Sequence, residues 1–196
     1  MGSVSLKYKS KSGNLTAPGD VDPGAMIPIA TQYVTSASVG TITFSNIPQN
    51  YEHLQVRISS RSTRTYTGNA IDVMNIQANS SYPTKSHYLL GDGASASSGV
   101  DYSLMFFPDD GGGIAGNYGS GIVDILDYSS TTKNKTFRAI TGFDNNSTSL
   151  NGTVALTSGF WNSTSAITSL TFGYAFGGDV KQYSHFALYG IKRAGA

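Results

Sequence analysis

The chain reads as an all-β protein, an antiparallel β-sandwich or jelly-roll-like fold carrying an extended N-terminal arm. Three observations predict this. Short apolar segments alternate with Gly/Asn/Asp loops from about residue 31 to residue 192. The 23 Gly, 12 Tyr, 9 Phe, 27 Ser and 19 Thr are the residue palette of strands and tight turns. Strong helix formers are scarce: Glu52 is the single Glu against eleven Asp, and the charged fraction of 13% is about half the usual share.

Residues 1–30 are assigned to the arm and 31–196 to the sandwich. Pro18, Pro23 and Pro28 lack backbone donors and forbid a continuous helix or a central strand, so the leader must lie extended. Its apolar side chains and alternating lysines, Leu6, Lys7, Tyr8, Lys9, Lys11, Leu15, Val21, Met26, Ile27 and Ile29, are more than a purely solvated tail requires. They are expected to grip a neighbouring molecule.

About ten strands follow. Residues 39–45 place Ile42 and Phe44 on one face, and residues 53–59 turn Leu54, Val56 and Ile58 inward with Gln55 and Arg57 outward, which is the period of two. Segments 70–76, 85–90 and 100–106 continue the series, the last alternating Tyr102, Leu104 and Phe106. Residues 121–128 form a denser run in which Asp124 and Asp127 need partners or solvent. Residues 135–143 alternate Phe137, Ala139, Thr141 and Phe143. Residues 152–160 hold Val154 and Leu156, 167–174 hold Leu170, Phe172 and Tyr174, and 184–192 close the chain. Repetition of this kind, with turn signals between strands, points to a sandwich or jelly roll. The loops at 91–99 and 109–121 exceed what hairpins need and are the expected recognition elements.

Composition excludes several function classes. A body of about 165 residues buries a core without crosslinks, and with no Cys there is neither a disulfide nor a thiolate zinc site. The net charge of +1 argues against a nucleic-acid groove, although Arg57, Arg61 and Arg64 form one local basic cluster. No run approaches the roughly 18 apolar residues of a spanning helix. Lys7, Lys9 and Lys11 lack the apolar stretch of a signal peptide behind them, so export to an outer-membrane barrel, and membrane insertion generally, is not expected.

The chemical motifs are weak. The run from Gly111 to Gly116 satisfies G-x-G-x-x-G, but no helix start follows it to cradle a phosphate. Asp109 and Asp110 are adjacent carboxylates, and neighbours in sequence diverge and cannot straddle a glycosidic bond alone, so a hydrolase is the least favoured class. His53, His87 and His185 have no metal-binding spacing. No cofactor, metal or catalytic residue is expected. Aromatic residues near loops (Tyr66, Tyr82, Phe107, Tyr118, Trp161 and Tyr183), together with Asp109 and Asp110, are candidates for ligand contact, since apolar rings with polar rims suit glycans.

Three segments carry a resemblance. They are Ile42-Thr-Phe-Ser-Asn-Ile-Pro-Gln-Asn-Tyr-Glu-His-Leu-Gln-Val-Arg57, Asp124-Ile-Leu-Asp-Tyr128 followed by Lys133-Asn-Lys-Thr136, and Phe186-Ala-Leu-Tyr-Gly-Ile-Lys192. Together they resemble virion structural proteins of tailed bacteriophages, described as decoration, head-fibre or tail-fibre components. The leader from Lys7 to Thr31 also looks like an attachment arm on such proteins. The resemblance implies a non-enzymatic protein of the virion surface, made in the host cytoplasm without a signal peptide. The arm would join the major capsid protein or another virion protein, and the chain would be a homo-oligomer with a trimer favoured. The absence of heptad or shaft repeats favours a compact capsid decoration or head-appendage protein. The alternative is a tail-fibre component whose loops contact host-surface glycan.

Overall fold

The computed structural model describes residues 25–66, 71–92, 95–101, 105–111, 114–145 and 152–193. Among them run twelve strands and no helix: β1 (Met26–Tyr33), β2 (Thr41–Phe44), β3 (His53–Ser60), β4 (Ile71–Ala78), β5 (Lys85–Gly91), β6 (Ala96–Asp101), β7 (Met105–Pro108), β8 (Gly119–Leu126), β9 (Lys135–Phe143), β10 (Thr153–Trp161), β11 (Leu170–Tyr174) and β12 (His185–Ile191). They form an eight-stranded sheet, ordered β1-β12-β3-β8-β9-β10-β5-β6, and a four-stranded sheet, ordered β2-β11-β4-β7. Every pairing is antiparallel. The expected sandwich is the observed one.

Alternation sets the layers. In β3 the buried residues are Leu54, Val56, Ile58 and Ser60, and in β9 they are Lys135, Phe137, Ala139, Thr141 and Phe143, β9 with bounds matching the expected segment. These inner faces meet Ile42, Phe44, Met74, Ile76, Met105, Phe107, Leu170 and Phe172 of the small sheet in one core. Phe172 lies 5.6 Å from Phe186 across the layers, and Phe137 lies 5.1 Å from Trp161. A second cluster, Val73, Phe106 and Ala155, with Ile71, Tyr88 and Leu90 against it, covers the β7 side of the small sheet.

Three expectations need correction. The arm does not extend to residue 30, because β1 starts at Met26 and pairs with β12. Pro28 is accommodated because β1 is an edge strand whose register shifts between Pro28 and Ala30, the sheet position that tolerates a missing donor. Residues 100–106 are not one strand, since β6 and β7 belong to different sheets. The expected 91–99 loop shrinks to a short turn because Gly91 pairs with Ala96; there the Asp92 carboxylate accepts the Ser95 N–H at 2.7 Å and its hydroxyl at 2.9 Å. In β10 the apolar pair Val154 and Leu156 faces outward, while Thr153, Ala155 and Thr157 face the interior. Gly159 is inward because the Phe137 ring occupies its side-chain space: a Cβ there would lie 1.9 Å from the ring.

The register gives the sandwich two distinct ends. Met26 pairs with Ile191 and Ile191 with His53, so the chain enters at the end that also holds residues 45–52, 127–134 and 162–169. This entry end is tied by Ile47 N–H to Thr168 O (3.0 Å) and Ile167 N–H to Tyr128 O (2.8 Å). At the opposite, loop end gather residues 34–40, 61–66, 109–111, 114–118 and 175–184, joined by Asp110 N–H to Arg64 O (2.8 Å) and Lys181 N–H to Arg61 O (2.9 Å).

Phe172 is fully buried where the two sheets meet. Phe172→Ala is expected to lower stability by about 3–5 kcal/mol, from lost burial plus the cavity left behind. Urea denaturation of the variant against the parent, with the slope unchanged, checks this.

Candidate functional site

The densest polar chemistry sits at the loop end, where β3 delivers Arg61 and Ser62 and β4 delivers Asp72. The Arg61 side chain is almost wholly buried, and its Nε donates to Asp110 Oδ1 at 2.6 Å. Its Nη1 donates to the carbonyls of Ile114 (2.5 Å) and Asn117 (2.9 Å), fixing the loop above it. Lys181 Nζ donates to both Asp110 oxygens, at 2.6 and 2.5 Å. Burial alone pushes the Asp110 carboxyl upward, but the hydrogen bonds and charges of Lys181 and Arg61 outweigh it and hold the group below the ordinary carboxylate range.

Asp72 lies a short step inside and titrates the other way. Burial is the larger influence and raises it, while Ser62 Oγ–H donating at 2.6 Å, the Val73 N–H at 2.7 Å and Arg64 at 3.9 Å pull it back, and Asp109 adds to the rise. Asp109 is itself buried. Its Oδ1 accepts the Gly111 N–H at 2.9 Å, and its Oδ2 has no hydrogen-bond partner among the described residues. The two adjacent carboxylates thus diverge, one into an ion group and one into the interior.

Above this ionic floor lies an aromatic rim. The Arg64 guanidinium is held between the exposed rings of Tyr66, 4.5 Å from its centroid, and Phe176, at 4.9 Å. Tyr183 is 71% exposed and has a backbone φ of +71°, a conformation a bulky residue adopts only when its surroundings impose it. Its N–H donates to Val34 O at 2.7 Å, which is one such restraint. The Tyr118 hydroxyl donates to Gln182 O, and burial raises its titration above the ordinary phenol range.

The loop end therefore assembles five of the eight expected contact residues: Tyr66, Asp109, Asp110, Tyr118 and Tyr183. The other three are elsewhere. Phe107 is fully buried in the core, and Trp161 is buried with its indole N–H donating to Ser81 O at 3.0 Å. Tyr82 is exposed beside that contact, at the entry end. Of the basic cluster, Arg61 and Arg64 belong to the loop end, while Arg57 lies on the outer face of the large sheet. Lys181 and Phe176 were not legible in advance, because only the sheet register brings residues 175–184 over residues 61–66.

Among the expected arm residues, Leu6, Lys7, Tyr8, Lys9, Lys11, Leu15 and Val21 lie outside the described residues. Met26, Ile27 and Ile29 are part of β1, and Ile29 packs against the core. Those three are therefore used within their own sandwich. Beside them the entry end holds a groove of about 820 Å³ lined by Ile27, Tyr51, Glu52, Asp127, Ser130 and Lys133, among others. Glu52, His53 and Asp127 bring ligand-type atoms within 4.8 Å of one another. Each is already engaged: Asp127 takes Lys133 Nζ at 2.8 Å, Glu52 faces Arg193 at 3.5 Å, and His53 Nδ1 accepts the Asp127 N–H at 3.0 Å. Lys133 first, and His53 in addition, keep the Asp127 carboxyl below its ordinary range. Protein cations balance the two carboxylates there.

No protein family, curated protein or solved structure matches the chain.

The Asp110 ion group has a signed pH dependence. A carboxyl lowered in the folded state adds stability above its unfolded value near 3.9, and that contribution is lost as pH falls through the folded value. Asp110→Asn should cost about 2–4 kcal/mol at pH 7, since it leaves the buried Arg61 without its counter-charge. Denaturation at pH 7 and again near pH 3 should show the gap between parent and variant narrowing in acid.

Proposed function

We propose that the protein is a non-enzymatic structural component of a tailed-phage particle, a capsid decoration or head-appendage protein held to the virion surface by the segment preceding residue 25. The observation that carries this reading is the polarity of the sandwich. The chain enters β1 at one end, and the ionic and aromatic loops stand at the other. An attached module needs that separation, because docking at one end then leaves the opposite loops unobstructed.

The physics of attachment is coupled ordering. Leu6, Tyr8, Leu15 and Val21 supply apolar burial against the major capsid protein or another virion protein, offsetting the entropy lost on docking. Lys7, Lys9 and Lys11 pair with acidic groups of that partner, each exposed pair contributing about 0–1 kcal/mol, so the apolar anchors dominate. Met26, Ile27 and Ile29 are removed from this role because β1 uses them. No catalytic step is assigned. Asp110 is engaged by two cations and Asp109 is closed off from solvent, so the pair cannot flank a glycosidic bond.

A tail-fibre or receptor-binding role is the second reading, and the exposed Tyr66 and Phe176 rings flanking Arg64 favour it. Planar apolar platforms beside hydrogen-bonding groups suit sugar rings. The two readings differ in what the isolated body binds.

Removal of residues 1–24 leaves β1 intact, which makes it a cleaner test than cutting at residue 30. The truncated chain should keep the strand-type circular dichroism of the parent and fail to join particles in a co-sedimentation assay. Unchanged particle occupancy would refute attachment through this segment. Strong binding to host-surface glycan, lost in Tyr66→Ala together with Tyr183→Ala, would instead establish the receptor-binding reading.

A further inference from the structure

The two outer faces of the sandwich differ in kind. On the small sheet the outward side chains of β2 and β11 include Thr41, Thr43 and Thr171, with the Thr43 and Thr171 hydroxyls 3.1 Å apart, an ordinary solvated surface. On the large sheet, Ile122 pairs with Ile140, Ile140 with Leu156, and Leu156 with Leu89, so four aliphatic side chains form one continuous row across β8, β9, β10 and β5. Their exposures are 43, 59, 47 and 60%. Val154 and Val100 stand beside this row on the same face and are also exposed. Monomeric soluble proteins rarely leave a contiguous row of large aliphatic side chains open to water.

The row is a ridge with a furrow next to it. Two positions along each strand, and on the same face, come Ser120, Gly142, Val154 and Gly91. Ser120 and Gly142, with Arg57 at the margin, line a shallow furrow of about 570 Å³. On the ridge's other flank the charges are already settled within the chain: Arg138 Nε donates to Asp124 at 3.1 Å, and Gln55 donates to the same carboxylate at 2.9 Å. Arg57, which pairs with Ile122 at the β3 end of the row, is exposed on the same face, its Nε donating to Gln55 Oε1 at 3.2 Å. The face presents a projection and, beside its Ile122 and Ile140 end, a depression over β3, β8 and β9 that Val154 of β10 walls off.

We propose that this face binds a second copy of the chain in a two-fold dimer. A two-fold contact uses the same patch on both partners, so the patch must contain both a knob and its hole. A two-fold axis lying parallel to the ridge, midway between ridge and furrow, seats the Ile122 and Ile140 end of each ridge in the other copy's furrow. Ile122 then meets the partner's Ser120, Ile140 the partner's Gly142, Leu156 the partner's Val154 and Leu89 the partner's Gly91. Large meets small at three of these positions and apolar meets apolar at the fourth. Sheets stacked face to face in this way lie about 10 Å apart, with their strands aligned to within roughly 30°. The pairing rests on the sheet face alone and holds whether or not the particle reading is correct; it replaces the expected trimer with a dimer.

Light scattering on the eluting full chain at about 50 μM, where an interface with Kd near 1 μM is largely filled, should give about twice the chain mass of 20.6 kDa. Ile140→Asp together with Leu156→Asp should halve that mass while keeping the strand-type circular dichroism of the parent, since both side chains face solvent in a single protomer. Ser120→Arg, which fills the furrow and leaves the ridge intact, should do the same. Because the chain has no Cys, Leu156→Cys introduces a unique thiol. A short bis-maleimide should join two such chains and should not join chains carrying Tyr82→Cys at the entry end. A parent that stays at 20.6 kDa, a three-copy mass, or a dimer that survives both the Asp pair and Ser120→Arg would overturn the proposal.

Discussion

The unequal width of the two sheets is the constraint to which the rest of the fold answers. Strands lie about 4.8 Å apart, so four of them cover only about half of an eight-stranded partner. Phe172, Leu170, Met74, Ile76 and Phe107 therefore pack on the central inner faces, meeting Leu54, Val56, Val123, Ile125, Phe137 and Phe186. The flanks of the large sheet must find other cover. On one side Ile29 and Ala30 of β1 fold against the core margin, and on the other Ala155, Tyr88 and Leu90 close over Val73 and Phe106. That is why Val73 and Phe106, whose neighbours in the small sheet face solvent, are buried.

Charge is distributed with the same economy. A chain with few ionisable groups has concentrated them where loops must be held, because a buried charge is tolerated only with partners in place. Arg61 is the clearest case: its guanidinium engages the Asp110 carboxylate and the Ile114 and Asn117 carbonyls, so those three residues are tied to the end of β3. Lys135 plays the corresponding part at the entry end, its ammonium donating to the carbonyls of Ser130 (2.6 Å), Lys133 (2.6 Å) and Thr164 (3.1 Å). Burial pulls the Lys135 titration down, and Asp127 opposes that shift. Asp72 and Asp110 shift in opposite directions: burial is the largest influence on Asp72 and raises it, with one cation at 3.9 Å opposing, whereas at Asp110 the hydrogen bonds and charges of two close cations outweigh burial.

How far the sequence was legible follows from where its rules are local. Period-two alternation found β3, β9, β5 and β12 to within a residue, because each has one face against the core and one against solvent. It missed β1, since Pro28 argues against a strand unless the strand is known to be an edge, and edge position is a property of the assembled sheet. It merged β6 with β7, since sheet assignment leaves no mark on a seven-residue window. It found β10 but not its orientation: Val154 and Leu156 are the apolar residues, and their outward placement is forced by Phe137 sitting over Gly159 and by the register with β9. Five of the eight expected contact residues share the loop end, and Lys181, which completes their ion group, carries no local signal because its partner lies 71 positions earlier.

The inverted polarity of β10 also bears on what the molecule is built to do. A strand with Thr153 and Thr157 facing inward and Val154 and Leu156 facing outward leaves apolar area open in a single chain, a hydrophobic free-energy cost of about 25 cal/mol for each Å² not covered. Aliphatic side chains at four adjacent positions on four neighbouring strands make that cost systematic rather than incidental, and the small sheet shows that the same chain can clothe a face in threonine. The loop end, by contrast, spends its polar groups on rigidity, with Arg61, Asp110 and Lys181 fixing the backbone beneath Tyr66 and Tyr183. Among the described residues, one broad face carries the exposed aliphatic row and one end carries the fixed polar loops, so the two kinds of surface are kept apart by the sheet register.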